Sequence, residues 1–204
     1  KRVFEGLGAS FVVPGGQTMN PSTQDLLLAI QQAPKEQVIL LPNNKNIILA
    51  AQQAKALSSK RVEVITTRSV PQGIAALLAY NYQEGIDENV ASMAEACTAV
   101  QTIEITRAVR SVKINGLSVN EGQFIGLWDG DLITADESAL AVSLTLLDRI
   151  GVDALEIVTI YYGEQVTAIE AEALAEAIRS AYDHLEIEIV EGGQPHYHYI
   201  VSAE

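Results

Sequence analysis

One pattern recurs three times in the first hundred residues: a short apolar run, a polar loop rich in Asn, Gly, Pro, Ser and Thr, then apolar residues at helical spacing. The runs are Phe11-Val12-Val13, Val38-Ile39-Leu40-Leu41 and, around Glu63, Val62 with Val64 and Ile65. Runs buried on both faces imply a parallel sheet. Strand, loop and helix repeated in this order specify an α/β lobe whose loops leave the sheet at the carboxyl ends of its strands. Open α/β sheets bind ligands along that edge.

The first loop, Gly15-Gly16-Gln17-Thr18-Met19-Asn20-Pro21-Ser22-Thr23, is led by two glycines that allow the backbone to turn and expose its N–H groups. Ser22 and Asp25 have capping-box spacing for a helix starting at Thr23. Free N–H donors at that helix start, with the hydroxyls of Thr18, Ser22 and Thr23, favour a carboxylate or phosphate. Ordinary βα-loop chemistry produces the same local pattern, so the weight comes from the other two loops. Pro42-Asn43-Asn44-Lys45-Asn46 precedes a helix bearing Ile47, Ala50, Ala51, Ala54 and Leu57. Thr66-Thr67-Arg68-Ser69 precedes a helix opened by Pro71-Gln72-Gly73 and bearing Ile74, Leu77 and Leu78. The candidate ligand- or partner-binding residues are therefore Gly15, Gly16, Gln17, Thr18, Asn20, Ser22, Thr23, Asn43, Asn44, Lys45, Asn46, Thr67, Arg68, Ser69 and Gln72. Because Asn43, Asn44 and Arg68 lie on loops, alanine at any of them is expected to change stability by only about 1 kcal/mol unless one is a buried cap.

Near residue 101 the pattern changes. Thr102 to Ile114 reads as one long strand, Asn115-Gly116 as a two-residue hairpin turn, and Leu117 to Val119 as the return. Phe124 to Trp128, the turn Asp129-Gly130 and Leu132 to Thr134 continue a meander. A helix follows through Leu140, Ala141, Leu144 and Leu147, then a buried strand from Ile157 to Tyr161. The next helix is capped by Thr167 with Glu170, and the chain closes with an alternating strand (Leu185, Ile187, Ile189) and a last one through Ile200 and Val201. The reading is two α/β lobes, a parallel-sheet lobe at 1–100 and a mixed lobe with a β-meander at 101–204, packed without a flexible linker. Gly192-Gly193-Gln194-Pro195 repeats the glycine-led turn of the first lobe, which adds Gly193 and Gln194 to the candidates and points both turns at an interlobe cleft.

A net charge of -13, from 26 acidic and 13 basic residues, argues against nucleic acid and anionic membrane surfaces. No apolar run reaches the ~20 residues of a membrane span. The one cysteine, Cys97, cannot form an internal disulfide and falls with Val90, Met93 and Ala94 at helical spacing, so it reads as a core residue in a cytoplasmic protein. His196 and His198 alternate along the last expected strand, a spacing metal sites use, but no third ligand is evident and no metal is expected. Arg107 and Arg110 read as solvated strand residues or contacts to a neighbouring domain. No Ser-His-Asp order, phosphate-binding Walker loop or paired carboxylates is present, so no catalytic residue is assigned. The chain starts at Lys1 without a methionine, as a piece of a longer protein would.

The segments Gly15 to Thr23, Leu41-Pro42-Asn43-Asn44-Lys45-Asn46-Ile47, Thr67-Arg68-Ser69-Val70-Pro71-Gln72-Gly73 and Gly192-Gly193-Gln194-Pro195 together resemble the C-terminal region of the bacterial fatty acid kinase large subunit, a family also described as dihydroxyacetone-kinase-like or DAK-phosphatase-like. The resemblance implies a two-lobed, DegV-like α/β fold. It also implies that ATP and magnesium belong to a separate N-terminal module, so that this chain needs no cofactor of its own. The large subunit of that family phosphorylates a fatty acid held by a separate small lipid-binding subunit, forming an acyl phosphate. The implied role is a non-catalytic recognition and assembly module whose partners are the fatty-acid-binding small subunit, together with other domains of the same protein; the reading allows a homodimer. The alternative is a binding domain for a fatty acid, acyl phosphate or triose phosphate in its own right. DegV-type lipid binders end in a Gly-Thr-His-Thr-Gly type loop whose His and Thr hold the acyl carboxylate, whereas Gly193-Gln194-Pro195-His196-Tyr197-His198-Tyr199 stands here. That departure favours the first reading.

Overall fold

The computed structural model describes every residue except Lys1, Gly16, Gln17, Thr18 and Asn115. The chain divides into two compact units, Lys1–Val100 and Gln101–Glu204. In the first, α1 (Arg2–Gly6), α2 (Thr23–Gln32), β1 (Gln37–Leu40), α3 (Ile48–Leu57), β2 (Arg61–Val64), α4 (Val70–Leu78) and α5 (Ile86–Ala99) follow one another. β1 and β2 pair in parallel, Val38 opposite Val62 and Leu40 opposite Val64. Leu26 and Ile30 of α2, Ala51 and Ala54 of α3 and Val62 of β2 close one core, while Ile65, Ala76, Met93 and Cys97 form another. Burial raises the pKa of the Cys97 thiol, which suits a packing role.

Among the described residues two strands stand here where the apolar runs predict three. Phe11-Val12-Val13 forms no strand, because the run is only three residues long and ends at Pro14, which has no N–H to offer a neighbouring strand. Val13 instead packs against the α2–α3 core, and Phe11 is exposed.

The second unit contains β3 (Gln101–Arg107), β4 (Val112–Ile114), β5 (Leu117–Val119), β6 (Phe124–Trp128), β7 (Asp131–Asp136), α6 (Ala139–Ile150), β8 (Ile157–Tyr162), α7 (Ala168–Ala181), β9 (Glu186–Glu191) and β10 (Tyr199–Ala203). Six of the strands make a mixed sheet in the order β7-β6-β3-β10-β8-β9, with β8 and β9 parallel and every other pair antiparallel. Ile103, Ile105, Val158, Ile160 and Val201 of the sheet pack with Val142 and Leu146 of α6 and Leu174 and Ile178 of α7. The expected capping box at the start of α7 forms between Thr167 and Glu170. Asp129 (φ 49°) and Gly130 (φ 86°) make the tight β6–β7 turn, a geometry in which both central residues are left-handed.

The long strand expected from Thr102 to Ile114 is interrupted. β3 ends at Arg107, and β4 and β5 form a separate two-stranded sheet. The Ala108 N–H turns to the Gln123 carbonyl (2.8 Å) and the Gly122 N–H to the Ala108 carbonyl (2.8 Å), so the chain leaves the main sheet as a narrow arm. Gly116 (φ 85°) belongs to the arm's turn, whereas Asn115 is outside the described residues. His196 and His198, expected within the last strand, precede β10, which starts at Tyr199.

Candidate functional site

The loops that follow β1 and β2 meet through three residues. Asn43 adopts a left-handed backbone (φ 56°), which Asn tolerates better than bulkier side chains. Its N–H donates to Thr67 Oγ1 (2.9 Å), and the Thr67 hydroxyl donates to Asn43 Oδ1 (2.9 Å). Thr67 is completely buried. A Cβ on Gly73 would stand 1.9 Å from Asn43 Oδ1, so only glycine lets α4 come this close to the loop. Asn43, Thr67 and Gly73 thus form a latch between the two βα loops. Of the residues expected to be cheap to replace, Asn43 is the exception, since its loss strands the hydroxyl of a buried threonine.

Around the latch, polar groups hold the backbone in place. Ser69 caps α4, its Oγ accepting from the Gln72 N–H (3.3 Å), while Gln72 Oε1 accepts from the Arg68 N–H (2.8 Å). The Asn46 N–H donates to Asn44 Oδ1 (2.9 Å). Lys45 and Arg68 are exposed, and among the described residues no carboxylate pairs with either side chain. The pair of loops therefore offers two free cations carried on a rigid joint.

The first loop differs. Ser22 is committed to its capping box, accepting from the Asp25 N–H (3.2 Å) while Asp25 Oδ2 accepts from the Ser22 N–H (2.9 Å). The Ser22 hydroxyl and then its N–H hold the Asp25 carboxyl below its usual pKa. Thr23 Oγ1 donates to Gln53 Oε1 of α3 (2.9 Å), and Gly15 abuts Pro21, where a Cβ would stand 2.9 Å from Cδ. Asn20 is exposed, and Gly16, Gln17 and Thr18 lie outside the described residues.

In the second unit, Gly193 and Gln194 belong to a strap, residues 192–198, that is bound into the sheet. The N–H groups of Gly192 and Gly193 both donate to the Tyr162 carbonyl (3.0 and 3.1 Å), and Gln194 Nε2 donates to the Tyr161 carbonyl (2.8 Å). The Gly163 N–H donates to the His198 carbonyl (2.8 Å), the His198 N–H to the Ile105 carbonyl (2.9 Å), and Thr106 Oγ1 to the His196 carbonyl (2.7 Å). The Gly193 N–H and the Gln194 side-chain amide are thus bonded within the unit.

The strap also completes a cluster that no local pattern in the sequence announces. The His198 ring meets the Phe124 ring edge-on at 5.3 Å, and the Arg107 guanidinium lies 3.9 Å above the same Phe124 ring. His198 Nδ1 is buried without a hydrogen-bond partner among the described residues. Burial lowers the pKa of His198, Arg107 lowers it further and Glu170 opposes both. The four residues come from β3, β6, α7 and the strap, so only the tertiary fold assembles them. Among the described residues no three His, Cys, Asp or Glu side chains converge as a metal set.

The family model for the C-terminal domain of FakA-like proteins, the A-type subunits of fatty acid kinase, matches residues 1–204. The chain belongs to this family. It is 42% identical to the YloV protein of Bacillus subtilis over 202 residues, covering 99% of this chain and 36% of that protein. The chain thus spans just over a third of the length of this curated relative. Among solved structures, a DegV family protein from Corynebacterium glutamicum superposes with a TM-score of 0.67 at 15% identity, covering 99% of this chain and 91% of that one. The Streptococcus pneumoniae fatty acid kinase B3 protein, solved with linoleic acid, superposes with a TM-score of 0.60 at 13% identity, covering 90% and 76%. The fold is therefore the DegV-like α/β fold that the motifs imply. No helix among the described residues is long and apolar enough to cross a membrane.

Proposed function

We propose that this chain is a non-catalytic recognition and assembly module of a fatty acid kinase-type protein, working with a fatty-acid-binding partner subunit in acyl-phosphate formation. Family membership across the whole chain gives the setting. The observation that carries the reading is the strap. In DegV-type binders the corresponding loop is expected to hold an acyl carboxylate; here the Gln194 amide and the Gly192 and Gly193 N–H groups are directed to the Tyr161 and Tyr162 carbonyls. A DegV-like fold whose terminal loop is committed to its own sheet suits a surface that meets a lipid carrier better than one that encloses the lipid. ATP and magnesium belong, on this reading, to another part of the protein.

The purified chain, given ATP, magnesium and the lipid-loaded partner, is expected to form no acyl phosphate yet to bind the partner in calorimetry. Acyl-phosphate formation by the chain alone rules the module reading out. A second reading rests on Lys45 and Arg68, exposed on latched loops: they would hold the carboxylate or phosphate of a small ligand by charge-assisted bonds. Native mass spectrometry separates the two, since a co-purifying acid favours the second.

A further inference from the structure

The charge of this protein is segregated. Residues 1–100 carry eight basic and eight acidic residues, whereas residues 101–204 carry five and 18, so the second unit holds the entire net charge of -13. Three of those five cations, Arg107, Arg110 and Lys113, fall in residues 107–119, a stretch without a single Asp or Glu. That stretch is the β4–β5 arm; a single carboxylate, Glu121, stands in the loop that closes its root. The rest of the unit has only Arg149 and Arg179 to set against 18 carboxylates, and Arg179 is engaged with Glu172 (3.1 Å) and Glu176 (3.2 Å).

The arm is fixed at its root and lies beside β7, with Val119 of β5 buried. Its root is fixed by the Ala108–Gln123 and Gly122–Ala108 backbone bonds (2.8 Å each) and by Arg107, which donates from Nη1 to the Gly122 carbonyl (2.6 Å) while stacking on Phe124. The Glu121 N–H donates to Ser111 Oγ (2.9 Å), and β4 and β5 pair from Val112–Val119 to Ile114–Leu117. On this frame Val109 is 88% exposed and Ile114 42%, and Arg110 and Lys113 are exposed with no carboxylate partner among the described residues. Cations guarding a sheet edge against aggregation do not account for this, because the main sheet guards its edges with carboxylates: Asp131 and Asp136 on β7, Glu186 and Glu188 on β9.

We propose that the β4–β5 arm is a docking element for a protein surface that presents carboxylates around an apolar spot. Resting on the module reading above, the occupant is the fatty-acid-binding partner of the kinase. Arg110 and Lys113 meet its carboxylates and Val109 its apolar spot. A lipid bilayer or nucleic acid is a poorer fit for the same arm. Either presents anionic charge over an area wider than the arm, which brings the acidic remainder of the unit within a Debye length of about 8–10 Å. A protein surface can offer carboxylates to the arm and other chemistry to its surroundings.

The test is calorimetric titration of the lipid-loaded partner into the intact protein that carries this chain, wild-type and R110E/K113E. The double charge reversal is expected to weaken Kd at least about tenfold, and raising salt from about 50 to about 500 mM to weaken the wild-type complex in the same direction. Val109→Asp adds a second, independent variant expected to weaken binding. Because these residues are exposed, unfolding midpoints should match wild-type, which separates lost docking from lost fold. Wild-type binding with no change in R110E/K113E overturns the arm but leaves the module reading standing; absence of wild-type binding sinks the module reading itself. Loss of affinity in E186K/E188K instead, at the opposite sheet edge, overturns the arm. So does arm-dependent binding to phosphatidylglycerol vesicles without partner binding.

Discussion

The latch of the first unit and the strap of the second unit are alike in sequence, since each is a polar, turn-forming loop close to an apolar strand, yet they use their polar groups differently. In the latch, two side chains and one backbone N–H join the loops, and the charged groups of Lys45 and Arg68 stay free. In the strap the N–H groups of Gly192, Gly193 and His198, the Gln194 side-chain amide and the carbonyls of Gln194, Pro195, His196 and His198 answer neighbours in the same sheet or in the loop before α7. Loop composition predicts where polar groups gather. Whether those groups face a ligand or one another depends on how many backbone groups of the surrounding elements need partners.

The comparison breaks most directly at glycine. A Cβ on Gly163 would lie 2.2 Å from the Tyr197 carbonyl oxygen, a backbone atom that cannot rotate away, so Gly163→Ala is expected to destabilise by about 3 kcal/mol in urea unfolding. Gly73→Ala meets a side chain instead, Asn43, and is expected to cost about 2 kcal/mol. Much of that penalty should vanish when Asn43 is already alanine, because the clash partner is gone. Equal costs for the two glycines, or an additive double variant, would show that the strap is no more rigid than the latch.

A smaller effect separates the two loops by pH. His198 in the strap has its pKa lowered in the folded state by burial and by Arg107, against the opposing Glu170; Tyr199 adjoins it on β10. The unfolded chain therefore binds the proton more readily. The stability from neutral His198 is accordingly present above the ordinary histidine pKa of about 6.5 and is lost as pH falls through that value toward the lower folded one. Nuclear magnetic resonance titration should find His198 titrating below the ordinary histidine value of about 6.5, and His198→Phe should flatten the acid side of the stability profile. A His198 that titrates at or above that ordinary value refutes this account of the cluster.

The smallest expected effect sharpens the latch. Lys45→Ala and Arg68→Ala should change stability by no more than about 0.5 kcal/mol, since neither side chain is paired among the described residues. Both should lower acyl-phosphate formation by the intact protein if the loops serve a partner or ligand. Unchanged turnover in both would make the latch a purely structural joint.

How much was legible depends on the range of the interaction. The capping boxes at Ser22–Asp25 and Thr167–Glu170, the helices they start and the Asp129-Gly130 turn follow from residues three or fewer apart, where side-chain chemistry acts on its own backbone. The family was legible as well, because its four motifs lie on βα loops and terminal turns whose residues can be recognised in order. The failures were of partnership. Phe11-Val12-Val13 has strand composition, but its three-residue length and Pro14 keep it irregular; Thr102 to Ile114 has a strand's continuity, but hydrogen bonds to residues 122–123 divert it into an arm. By itself, then, the sequence determined the α/β class, the helix starts, the tight turns and the charge of each half. Only the tertiary structure decided that Asn43, Thr67 and Gly73 form a joint, that Gln194 faces its own sheet, and that Arg107, Phe124 and His198 meet. The reason is physical: a hydrogen bond between residues 24 positions apart, as in the latch, or 90 apart, as between Thr106 and the strap, is set by strand order and packing, and no local spacing encodes it.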